Sequence, residues 1–140
     1  MNMNADLWSE QMNTLLDLAG FLAQRDVIDI HFAGNHTREV FVASRLEDRV
    51  RGLSHQPNLQ VDGMIFIFQS PSHVPFSMKD MAFDIDISWY DSEGKLLGMR
   101  SCSAGSTEPV ACPSPIPFSY VLEAPVGTIP YSDLKVKVDG

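Results

Sequence analysis

Between residues 83 and 90 the apolar side chains Phe83, Ile85, Ile87 and Trp89 alternate with Asp84, Asp86, Ser88 and Tyr90. A period of two over eight residues fits a strand, because successive side chains of an extended chain point to opposite faces. The pattern predicts one core face and one polar face. Asp91, Ser92, Glu93 and Gly94 supply turn residues, so the segment 95–102 is expected to return antiparallel as a hairpin.

The same reading extends to both sides. Residues 64–68 form a continuous apolar run bounded by Asp62-Gly63 and Ser70-Pro71-Ser72, as a central buried strand requires. Ile28, Ile30 and Phe32 alternate with Asp29 and His31, and Gly34-Asn35 turns this strand into a second one at 39–43. Two further strands are expected at 118–123 and 134–138. The segment 103–117 holds four prolines and is expected to be a long irregular loop.

Two helices are predicted. In residues 5–24, Trp8, Met12, Leu15, Leu16, Ala19 and Leu22 recur at three- and four-residue steps and form an apolar stripe. That stripe packs on its own sheet or docks on a protein partner or second copy. A short helix over 45–51 is expected after Ser44, with Glu47 at capping-box spacing and Gly52 at its end. The fold class is therefore α+β, mostly β: a compact antiparallel or mixed sheet or barrel-like core. Residues 1–25 form a helical extension and 26–140 a single domain.

A length of 140 residues suits one domain with a real core. The formal net charge of -8 repels phosphate backbones, and the densest basic cluster, Arg45, Arg49 and Arg51, is interrupted by Glu47 and Asp48. Nucleic acid is thus not an expected partner. No apolar run is long enough to span a bilayer as a helix. The first basic residue is Arg25, and Asp6, Glu10 and Asp17 break the apolar positions before it, unlike a secretory signal. These features leave the compartment open.

The order Arg51-Gly52-Leu53, Gly63 to Phe68, Phe76-Ser77-Met78-Lys79-Asp80, Asp86-Ile87, Cys102, Cys112-Pro113 and Tyr120-Val121-Leu122-Glu123 resembles family 192 of the domains of unknown function. The resemblance covers residues 40–138. It implies a small, mostly β fold found in bacteria, archaea and phage genomes, often behind an export signal, and it implies no particular reaction. Set against that export habit, the acidic helix expected over 5–24 favours a cytoplasmic or virion setting over the envelope. Ser77 stands where the family usually has tryptophan and Asp84 where proline is common, which weakens any site carried over from relatives.

Candidate chemistry is sparse. Lys79, Asp84 and Asp86 form the best polar constellation, since the two carboxylates share one strand face about 7 Å apart. They could hold a ligand, shuttle a proton, or make an ordinary surface ion pair. Cys102 and Cys112 flank the proline-rich loop and could form a disulfide, a redox pair, part of a metal site, or two inert thiols. His31, His36, His55 and His73 lack metal-ligand spacing, so no metal and no cofactor is expected. No nucleophile elbow or phosphate-cradling glycine loop occurs.

The expected function is a non-enzymatic binding or structural module that assembles with other proteins, in its narrowest form a capsid- or tail-associated phage component. The alternative is an envelope-associated or cytosolic domain with a ligand-binding or enzymatic pocket around Lys79 and Asp86. Whether the chain is an enzyme stays open, with the lack of a catalytic motif weighing against it.

Overall fold

The computed structural model describes residues 2–3, 26–43 and 60–136. The helices predicted over 5–24 and 45–51 lie outside these residues. Eight strands occur among them: β1 (Asn2–Met3), β2 (Val27–Phe32), β3 (His36–Ala43), β4 (Gly63–Ser72), β5 (Phe76–Ser77), β6 (Ile85–Tyr90), β7 (Leu96–Cys102) and β8 (Phe118–Pro125).

Six of them build one mixed sheet in the order β2-β3-β4-β8-β6-β7, and β1 pairs with β5 in a second, two-stranded sheet. The larger sheet is open rather than closed into a barrel. Only β3 and β4 run parallel; every other pair in it is antiparallel. The hairpin β2–β3 turns where Gly34 and Asn35 both take positive φ, 90° and 64°, which glycine and asparagine tolerate better than most residues. No helix occurs among the described residues.

Both faces of the sheet are buried. One face gathers Phe41, Met64, Phe66, Ile85, Ile87, Trp89 and Val121 under Phe76, Met78 and Met81 from the connection between β4 and β6. Phe66 and Phe76 meet edge-on with ring centroids 5.3 Å apart, a geometry worth about 1 kcal/mol beyond burial. The other face gathers Ile30, Phe32, Val40, Ile65, Tyr90 and Leu122 under Ile129 and Leu134 from the C-terminal segment.

This second cover corrects the expectation of a polar face on β6, all six of whose residues are buried. The side chains of Asp86, Ser88 and Tyr90 meet partners instead of water. The Ser88 hydroxyl and the Tyr90 phenol lie 2.7 Å apart, and Asp86 accepts from Ser101 Oγ at 2.5 Å and from the Gly127 N–H at 2.9 Å. The strand predicted at 134–138 is also corrected over its described part. Leu134 makes a single bridge to Phe32, with the Lys135 N–H on the His31 carbonyl and the Ala33 N–H on the Asp133 carbonyl, so the chain covers the β2 edge with one bridge and no named strand.

Candidate functional site

Residues 103–117 leave the end of β7, fold back over its edge and return to β8. The loop is held in three places. Val110 exchanges two backbone hydrogen bonds with Phe76, at 2.8 and 2.9 Å. Arg100 Nε donates to the Ala111 carbonyl at 3.0 Å. Pro113 packs on Gly98 so closely that a Cβ there would overlap the proline ring. The absence of a side chain at Gly98, opposite Trp89 in the β6–β7 register, lets the proline sit there.

Between this loop and the β7 end lies a cavity of about 390 Å³, lined by Arg100, Cys102, Ser103, Ser106 and Glu108 among others, with Met78 and Val110 as apolar wall. Met78 is directed there by the tight turn 78–81, closed by the Met81 N–H on the Met78 carbonyl at 3.2 Å. Asp80 takes φ 63° in that turn, a left-handed conformation uncommon outside glycine, asparagine and aspartate. Met78 and Met81 are buried, while Lys79 is half-buried and Asp80 exposed.

Beneath the same region sits Glu123, fully buried in β8. The register aligns Met64, Glu123, Ile87 and Arg100 across four strands, so the backbones of Glu123 and Arg100 stand about 10 Å apart with Ile87 between them. Burial pushes the Glu123 carboxyl up to about 8, which keeps it mostly protonated at neutral pH. The Trp89 indole N–H is buried with no hydrogen-bond partner among the described residues, a cost of about 1–3 kcal/mol.

Cys102 and Cys112 are free thiols, both half-buried against the first core face. Burial raises the Cys102 thiol to about 11, with the nearby Glu123 carboxylate adding to the rise and Arg100 opposing it. Burial also raises Cys112. Both therefore stay as thiols near neutral pH, the form that is poor in nucleophilic attack.

The predicted trio is spread over separate contacts. Asp84 is exposed and accepts the Ala104 N–H at 2.8 Å, pinning the start of the loop. The two oxygens of Asp86 bond Ser101 and Gly127, tying β6 to β7 and to the turn after β8. Lys79 N–H donates to Ser77 Oγ at 3.1 Å. None of the three lines the 390 Å³ cavity or a second one of about 300 Å³ at the β2–β3 hairpin, where His31, His36 and Lys135 gather over Phe32. Among the described residues no group of three or more His, Cys, Asp and Glu side chains could hold a metal ion, and no helix is long and apolar enough to cross a membrane.

Sequence reasoning missed Arg100, Glu108, Ser103 and Ser106 as cavity-lining residues, because three of them come from a segment without periodicity. Glu123 carried a signal, a lone acid among the apolar residues of β8.

Comparison with known proteins agrees with the fold. The pattern of DUF192 (Uncharacterized ACR, COG1430) matches residues 27–138. No curated protein matches. A crystal structure from Sinorhizobium meliloti 1021, provisionally described as a transcription regulator, superposes with a TM-score of 0.65 at 23% identity, covering 79% of this chain and 92% of that one. A protein of unknown function from Novosphingobium aromaticivorans gives 0.65 at 20% identity, with 81% and 85% covered. At these identities the likeness concerns the fold alone.

Proposed function

Since the chain belongs to the DUF192 family, whose name carries no reaction, we propose from its own geometry that it is a non-enzymatic binding module that assembles with a protein partner or a second copy of itself. The observation that carries this reading is the proline-rich segment beyond Cys112. Pro113, Pro115, Ile116 and Pro117 are all exposed, Ile116 to 51%. Three prolines fix their φ angles, and the Pro113–Gly98 contact anchors the segment to β7. A partner docking on it would order little chain, so more of the contact energy remains as affinity.

The titrating groups are consistent with binding. Burial holds Glu123, Cys102 and Cys112 toward their neutral forms, and Asp86 spends both oxygens on structural hydrogen bonds.

Light scattering on the full chain over a range of concentrations tests the self-assembly form. A mass above 15.6 kDa that Ile116→Asp returns to the monomer value is the expected result. A wild-type mass fixed at the monomer value, or an assembly indifferent to Ile116→Asp, counts against a second copy on this surface. The narrower form, a component of a phage particle, is tested by searching purified virions for the chain by mass spectrometry.

A further inference from the structure

The 390 Å³ cavity under the loop is separate from the exposed proline segment and has its own chemistry. It falls in the size range of small-molecule sites, about 300–1,000 Å³. Its lining contains one cation, Arg100, and one anion, Glu108, and both residues are exposed. The two do not pair with each other, and neither forms an ion pair with another described residue.

Arg100 is held for recognition at one end. Its Nε is committed to the Ala111 carbonyl, which fixes the guanidinium while both terminal Nη groups remain as a fork for a planar anion. Ser103 and Ser106 line the same space and supply hydroxyls. Met78, Pro109 and Val110 offer apolar surface between the polar groups.

We propose that this cavity binds a small zwitterion, a molecule carrying a carboxylate and a protonated amine joined by a short aliphatic chain, with the carboxylate on Arg100 and the ammonium on Glu108. Two observations favour this class over a simple anion. A lone carboxylate entering the cavity would leave Glu108 facing it with like charge, whereas the zwitterion satisfies both groups. The net charge of -8 also repels an anion on approach, while a molecule of zero net charge meets no such barrier.

The test is a titration of the full chain, labelled for NMR, with the amino-carboxylate series from glycine to 6-aminohexanoate. Aliphatic carboxylates and aliphatic amines of matched length serve as single-charge controls. The expected result is saturable shifts at residues 100–111 with at least one member of the series, about tenfold tighter than for either matched control. The member that binds best reports the separation of the two charged groups.

Glu108→Gln is the decisive variant, because its side chain makes no hydrogen bond or ion pair within the described structure and its removal leaves the fold in place. It should lose the preference for zwitterion over carboxylate. Arg100→Gln should lose binding of both, although it also removes the Ala111 bond. Three results would overturn the proposal: no saturable binding by any member of the series, equal binding of the matched carboxylate, or a preference that survives Glu108→Gln.

Discussion

Replacing Glu123 by glutamine is expected to reshape how stability depends on pH. In the unfolded chain the carboxyl titrates near 4.5, and in the folded protein burial lifts it to about 8. Between those values the native state holds a proton that the unfolded state has released. Stability therefore falls as pH rises through this window, opposite to the usual carboxylate whose folded pKa is depressed. Each unit of separation corresponds to about 1.4 kcal/mol. The full span from 4.5 to about 8 sets a ceiling of about 5 kcal/mol, of which roughly 3 kcal/mol is already lost at pH 7. That is a large share of the about 5–15 kcal/mol that holds a typical domain folded. Glutamine keeps the shape and cannot ionise, so the variant should gain on the wild type steadily from about pH 5 to about pH 8 and hold its advantage above that. Urea unfolding at a series of pH values measures this directly. The thiol of Cys102, moved from 9.0 to about 11, and the phenol of Tyr90, moved from 10.0 to about 12, contribute only at higher pH and leave the window clear. Parallel wild-type and Glu123→Gln profiles between about pH 5 and about pH 8 would refute the reasoning.

Two further outcomes follow from packing and from thiol chemistry. Gly63→Ala places a Cβ onto the Glu123 carbonyl oxygen and the Ala124 side chain, and should cost about 3 kcal/mol in urea unfolding. Gly105→Ala meets nothing within 4 Å and carries only the strain of φ 73°, about 1 kcal/mol, so equal losses at the two sites would contradict the packing described. Alkylation of Cys102 and Cys112, followed by mass spectrometry, should be slow at neutral pH, faster at alkaline pH (toward about 11 for Cys102), and complete on unfolding. Native-state labelling at the rate of a free peptide thiol would show that burial does not protect them.

Much of the sheet was legible because alternation is a local signal. The hairpins β2–β3 and β6–β7, the apolar centre of β4 and the irregular 103–117 segment all follow from residue order and turn chemistry. What covers each face was not legible. Ile129 and Leu134 bury the side of β6 that its sequence marks as polar, and nothing local to Asp86, Ser88 or Tyr90 announces a segment forty residues away. The candidate site failed to read for the same reason. Lys79, Asp84 and Asp86 attract notice as charges near one another in sequence, yet two of them serve as hydrogen-bond anchors for backbone and hydroxyl groups. Arg100 and Glu108 share a cavity only because Val110 bridges back to Phe76.

The position of β8 has a consequence for biosynthesis. This strand is the last of the named strands to be made, yet it lies between β4 and β6 and joins the two halves of the sheet. Until residue 125 has left the ribosome, β2–β3–β4 and β6–β7 are two fragments with open inner edges and no hydrogen bonds between them. Such a topology rules out stepwise completion during synthesis and concentrates sheet closure in one late event with long sequence separation, the kind of step that slows folding. In that interval the exposed edges of β4 and β6 can pair with other chains. Expression yield should therefore respond more sharply to changes in β8 than to changes of equal thermodynamic cost in the edge strand β2.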